Sequence, residues 1–431
     1  MFKRFPPFDA VGWVWRKVFA NYWSLPLLAT LAALPTALIL LEGDRSGWQE
    51  SLVADDWLLV PSAGAAQEFV SVTVGVNTAL LTLYFSLTLL VLTIATANLG
   101  VRLIDRWLER RFVRISLAGL TFNVVFALVV LSAVDPDADL GELPHATLWV
   151  LLALAVLNIV MLAVALHDLA RTMFVDRSIA NLGIDAQEQH LPIAAGEPFA
   201  GRYRDTIRAA HAGYVETIDV EAVADTLKDH DGAIRIVGFP GRHVMKGEAL
   251  VLLERAGADH EAVCRNIPIG RFRGDEEGSA FHVRLLVEIA CRALSPAIND
   301  LYTALACADR IADAMQGHER LWVPHGQVAK SVDDARIELP GMDFRGLYDN
   351  PTKALRQAAA EYPAMAIRLI ENYGRVARSV DTPELADFLH RKAQRMADHA
   401  IARAAIAADK DDVRTALAGF ETSGQQGDAE E

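Results

Sequence analysis

Charge is missing from four stretches of this chain. No Asp, Glu, Lys or Arg occurs in 22–41, 70–97, 115–134 or 146–166. Each stretch reaches the roughly 20 apolar residues that a helix needs to cross a hydrocarbon core of about 30 Å. Hydrocarbon offers open backbone groups no partner, so each span must be helical. Four such spans in 1–170 exclude an ordinary water-soluble globular protein. Cysteine is also scarce. Cys264, Cys291 and Cys307 are odd in number and form no CxxC pair. A disulfide framework is excluded, and free thiols in a reducing compartment are expected. A phosphate loop, a dinucleotide fingerprint and a zinc-protease helix are all lacking. No cofactor or metal is therefore implied. His260 and Cys264 have ligand spacing, but two ligands do not make a metal site.

The cations that are present are unevenly placed. Arg outnumbers Lys 33 to 8, so guanidinium groups set the topology. Lys3, Arg4, Arg16 and Lys17 precede the first span, and Arg102, Arg106, Arg110, Arg111 and Arg114 fall between the second and third. The other two loops hold one base, Arg45, beside acids that include Glu42, Asp44, Asp135 and Asp139. Basic residues resist export, which predicts a multi-pass inner-membrane protein with both termini in the cytoplasm. The first apolar run is too long for a signal-peptide core and lacks a nearby small-x-small site, so it is expected to stay attached. Pro26 and Pro35 each remove a backbone bond there and predict an irregular start or a kink.

Polarity inside the second span is concentrated in hydroxyls. Asn77, Thr78, Thr82, Ser86 and Thr93 are the residues of interest, and Thr78, Thr82 and Ser86 share one helical face. They form either a wetted stripe lining a pathway in a homo-oligomer or a packing face, where small hydroxyls allow close helix approach.

The remainder, 171–431, carries 31 basic and 41 acidic residues. An acidic region does not suit nucleic acid, which rewards basic patches. The pattern predicts a mainly α protein: four transmembrane helices, then an α+β cytosolic region. Within it, 171–212 reads as a juxtamembrane helix and linker, 213–275 as a small β-rich subdomain, 276–420 as a helical subdomain and 421–431 as a disordered tail. Strands are expected at 213–219, 233–239, 249–253 and 263–269, with turns at Pro240-Gly241 and Gly247. Lys246 reads as a solvated turn residue. Helices are expected at 220–230, 279–294, 302–315, 351–362, 363–380 and 383–408, with Pro363 and Pro383 in first-turn positions.

Two motifs invite comparison. Phe85-Ser-Leu-Thr-Leu89 with Asn98-Leu-Gly-Val-Arg-Leu103 is the first. Arg292-Ala-Leu-Ser-Pro-Ala-Ile-Asn-Asp300 with Thr303-Ala304 is the second, and the more specific. Together they make the chain resemble the bacterial predicted membrane proteins called domain of unknown function 2254, from the first span to near residue 420. Val101 and Leu301 depart from it, standing where the family usually has Pro. The resemblance implies a four-span membrane protein with a soluble C-terminal region, and no activity.

Candidate chemistry is thin. Ser295, Pro296, Asn299, Asp300 and Thr303 bring a hydroxyl, an amide and a carboxylate into one interhelical turn. They act either as helix caps or as the nucleophile and acid of a membrane-anchored hydrolase. Arg271 and Arg273, ahead of Asp275, Glu276 and Glu277, form a candidate anion contact or a solvated charge run. Cys291 and Cys307 flank the turn; an antiparallel hairpin would let them face one another, and the role expected of them is that of small buried core residues. With no catalytic signature, the sequence favours a non-enzymatic sensor or docking protein. Its partners would be the bilayer, a cytosolic ligand or protein, and further copies of itself.

Overall fold

The computed structural model describes residues 23–48, 50, 52, 57–99, 111–172, 175–187, 192–273 and 278–425. The chain divides into two compact units, 1–174 and 175–431.

Among the described residues the first unit has four helices that alternate in direction along the chain: α1 (Ser24–Arg45), α2 (Ala63–Leu99), α3 (Arg111–Ala133) and α4 (His145–Thr172). Each is long and apolar enough to cross a membrane. α1 runs unbroken past Pro35. α2 has 37 residues, about 55 Å at 1.5 Å per residue, which exceeds the hydrocarbon thickness. Among its described side chains, the buried ones are Ala63, Ala66, Val70, Thr73, Asn77, Tyr84, Thr88 and Val91. Their spacing follows a heptad, the seam of a near-parallel bundle.

Two apolar clusters fill this bundle. One joins Ala33 and Ala37 of α1 to Val70, Phe126, Val130 and Leu151. The other joins Tyr84 and Val91 to Leu117, Leu120 and Leu162. Both loop-side ends are pinned by polar contacts. At one, Asp44 accepts from Thr147 N (2.9 Å) and Thr147 Oγ1 (2.6 Å). At the other, Arg114 Nη2 donates to Ser24 Oγ at 3.3 Å.

The second unit opens with α5 (Val175–Gln187), which packs on α8 (Ser279–Ala293) and α9 (Leu301–Gly317). Between them lie β1 (Ile193–Gly196), β2 (Asp205–Arg208), β3 (Gly213–Val215), α6 (Val220–Thr226), β4 (Ile234–Ile236), β5 (His243–Val244), β6 (Ala249–Leu253), α7 (His260–Arg265) and β7 (Ile269–Gly270). After α9 come β8 (Val328–Ser331), β9 (Ile337–Glu338), α10 (Phe344–Ala359), α11 (Pro363–Ser379), α12 (Pro383–Arg403) and α13 (Ala407–Gln425). Six strands form one sheet in the order β1-β8-β9-β4-β6-β2, and β5-β3-β7 form another.

Several boundaries differ from the sequence reading. The stretch read as a linker contains β1 and β2, both part of the six-stranded sheet. Four-residue strands are too short to display an alternation. The sheet does not stop at 275, because β8 and β9 return from beyond α9. The strand expected at 263–269 is instead α7 followed by the two-residue β7. Asp259 caps α7 by accepting from Ala262 N at 3.0 Å, and that cap wins over the strand preference of Val263, Ile267 and Ile269. Pro351 lies inside α10 rather than opening it. α12 ends at Arg403, and a separate α13 extends to Gln425; 426–431 lie outside the described residues.

Candidate functional site

β-Alternation places a polar row across the large sheet. Ile234 and Ile236 are fully buried in the core beneath β4, so Arg235 points to the opposite face. Parallel pairing of β4 with β9 puts Arg235 beside Glu338, and antiparallel pairing of β8 with β9 puts Lys330 on its other side. Glu338 is only 1% exposed. Burying a carboxylate costs several kcal/mol unless it is paired and hydrogen-bonded, and Glu338 is both. It accepts from Arg235 Nε at 2.6 Å, Tyr203 Oη at 3.0 Å and Phe199 N at 2.5 Å. Burial pushes the Tyr203 phenol up to about 12, and the Glu338 charge adds to the shift.

This cluster holds down the segment 197–204, which joins β1 to β2. Phe199 and Tyr203 pack with ring centroids 5.2 Å apart, and Arg235 lies 5.3 Å from the Tyr203 centroid. The pinned segment forms one wall of a cleft of about 510 Å³, lined by Phe199, Gly201, Arg202, Arg204, Glu254 and Arg255. Two of its charges are already engaged. Glu254 Oε2 accepts from Ala233 N at 2.9 Å, and Arg255 pairs with Asp231 at 3.2 Å. Arg202 and Arg204 are exposed and make no ion pair among the described residues. The cleft therefore presents guanidinium groups, an aromatic edge and a glycine backbone, which suit an anion with some flat apolar surface.

The residues singled out from the sequence fall in separate places. Asp300 caps α9, accepting from Thr303 N (3.1 Å) and Thr303 Oγ1 (2.6 Å). Asn299 is exposed and has a positive φ of 49°. Pro296 is exposed, and Ser295 contributes its carbonyl, which accepts from Asn299 N at 2.9 Å. The Ser295 hydroxyl bonds to no base among the described residues. Tyr362 Oη ties the turn down through Leu294 O at 2.7 Å. Cys307 is buried and Cys291 half-buried, and burial pushes both thiols above their usual range.

Arg273 stacks 4.9 Å from the Tyr214 centroid, while Arg271 is exposed. Asp275, Glu276 and Glu277 lie outside the described residues. Lys246 is exposed in its turn. His260 meets Asp205 at 2.9 Å, and no three metal-ligating side chains converge among the described residues.

α2 separates its polar residues into two faces. Thr78, Thr82, Ser86 and Thr93 are exposed on the bundle's outer surface. Thr82, Ser86 and Thr93 donate to the carbonyls of Thr78, Thr82 and Leu89 in their own helix. Asn77 is fully buried on the opposite side. The cleft and its Glu338 anchor escaped the sequence reading. Only the Ile-Arg-Ile alternation of β4 hinted at them.

Comparison with known proteins agrees with the architecture. Residues 20–374 match the profile of a family described as predicted membrane protein (DUF2254). An uncharacterized protein of Mycobacterium bovis and another of Mycobacterium tuberculosis are each 27% identical over 314 residues. Each match covers 67% of this chain and 60% of the relative, so the chain spans less than two thirds of the length of these proteins. No solved structure gives a significant match.

Proposed function

The chain belongs to the predicted membrane protein family DUF2254, and from that premise we propose a non-enzymatic sensor or docking protein of the inner membrane. Its soluble unit takes an anionic ligand, carboxylate or phosphate, in the cleft beside 197–204. The observation that carries this reading is the exposure of Arg202 and Arg204, without ion-pair partners among the described residues, on a segment fixed from beneath by Glu338. A fixed segment loses little freedom on binding, which favours affinity.

Thermal shift and calorimetric titration of the full-length protein in detergent, against a panel of carboxylates and phosphates, test it. A binding anion is expected to raise the melting temperature. Arg202→Ala and Arg204→Ala are each expected to weaken binding by about tenfold or more, the size of one charge-assisted hydrogen bond. If no anion shifts the melt, or both variants bind as tightly as the parent, the cleft has no such role.

A second reading rests on the outward hydroxyls of α2. In an oligomer, Thr78, Thr82 and Ser86 would face another copy and line a solute or ion pathway. Purified protein in liposomes would then conduct, and Thr82→Leu would alter the flux.

A further inference from the structure

The four-helix unit contains a polar layer that the outward stripe does not explain. Asn77 of α2, Asn123 of α3 and Asn158 of α4 all lie at the seam between the two apolar clusters. Asn77 is seven residues from Val70 in one cluster and seven from Tyr84 in the other, about 10 Å each way along the helix. Asn123 is three residues from Leu120 and three from Phe126. Asn158 lies seven residues after Leu151 and four before Leu162. Three neighbouring helices, α3 running opposite to α2 and α4, thus bring one carboxamide each to the same level.

These side chains are shut in. Asn77 and Asn123 are fully buried, and Asn158 is 3% exposed. Asn158 is partnered: its Nδ2 donates to Gly119 O at 3.4 Å. Asn77 and Asn123 differ from it. Neither the Nδ2 nor the Oδ1 of either has a hydrogen-bond partner among the described residues.

A carboxamide offers two donors and two acceptor lone pairs. Buried polar groups in folded proteins are bonded to protein or to ordered water. The chemistry of the orphaned atoms selects the occupant. A cation would satisfy the two oxygens and repel the two amide N–H groups. An anion would do the reverse. Water donates and accepts, and so serves both ends of both residues. We propose that Asn77 and Asn123 hold bound water between them, forming a hydration site in the membrane interior of the bundle. Leu or Val at both positions would have continued the apolar seam, so the amides mark a layer that is wet.

Magic-angle-spinning NMR of the full-length protein, labelled with ¹⁵N-asparagine and reconstituted in liposomes, tests the site. Asn77→Leu and Asn123→Leu assign the two side-chain signals. Magnetisation from water is expected to reach both side-chain nitrogens. In the Asn123→Leu variant the transfer to Asn77 is expected to be lost, because the water is shared. The wild-type measurement stands on its own if a variant fails to fold. Absence of transfer to both amides, with a direct contact between the two carboxamides, would overturn the proposal. So would side-chain shifts that move when sodium and potassium are replaced by choline, since that response belongs to a bound cation.

Discussion

Single side chains decide both units, and the decisive ones are acids buried against donors. Glu338 bonds to Arg235, Tyr203 and the backbone of Phe199. Glu338→Ala would strand a guanidinium that is 28% exposed and release the segment that walls the cleft. Breaking a buried pair costs about 3–5 kcal/mol, and the residual exposure of Arg235 places this one near the lower bound. Urea denaturation of the full-length protein should show that loss, and anion binding at the cleft should weaken with it. A variant as stable as the parent would show that Glu338 anchors nothing.

Asp44 plays a comparable part in the membrane unit. It is 3% exposed and satisfies the open N–H groups of Ala146 and Thr147 at the start of α4. A carboxylate there also meets the positive end of the helix dipole. Asp44→Ala should cost about 2 kcal/mol, the upper end for a lost N-cap, read as a lower melting temperature in detergent. From the sequence, Asp44 was one acid among several in a polar loop. Its partner lies 103 residues away, and no local pattern encodes that distance. Arg235 and Glu338 are likewise 103 residues apart, so strand alternation exposed Arg235 without naming its mate.

At the scale of elements, periodicity carried the helices and failed on short strands. α2 shows why. Its hydroxyls repeat on one face, and that repeat is visible in the sequence. The buried face follows a different heptad through Val70, Asn77, Tyr84 and Val91, and only the other three helices reveal which face is inward. Close contacts between elements are similarly silent. A Cβ on Gly346, in the first turn of α10, would stand 1.9 Å from the Gly341 carbonyl oxygen. Gly346→Ala should therefore force the turn before α10 apart and lower stability, whereas Gly→Ala inside an open helix usually raises it.

α10 and α12 are joined by charge as well. Lys392 Nζ lies 3.0 Å from Asp349 Oδ1, and Lys353 reaches Asp349 at 3.4 Å. Burial pushes the Asp349 carboxyl up, but the two ammonium groups outweigh it and hold the carboxyl below its usual range. A depressed carboxylate contributes stability above its unfolded pKa of about 4 and loses it as pH falls further. Burial also pushes the Lys392 ammonium below its usual value, so that group contributes more stability as pH rises toward about 10. Both effects make stability climb with pH. Lys392→Met should flatten the acid limb of a denaturation-midpoint curve below about pH 4. An unchanged limb would mean that the pair contributes nothing.

The whole molecule turns on which end of the bundle faces the cytoplasm, and the structure narrows that question to one choice. The Asp44 contact with Thr147 ties the end of α1 to the start of α4. Val60 and Ala63 near the start of α2 share a cluster with Val134 and Leu143. The described parts of the two acidic loops therefore occupy one end. At the other, Arg114 reaches Ser24, so the starts of α1 and α3 lie together. Among the described residues, α2 and α4 finish at that end too. Sidedness is an expectation to be tested: four spans would leave residues 175–431 in the same compartment as the basic segments. Moving several guanidinium groups through the bilayer is costly, and Asp and Glu impose little constraint of their own. A green fluorescent protein fused after Glu431 should fluoresce, while alkaline phosphatase inserted between Asp137 and Asp139 should be active. Phosphatase activity from a C-terminal fusion would invert the bundle, and with it the compartment from which the cleft at Arg202 and Arg204 would draw the anion proposed for it.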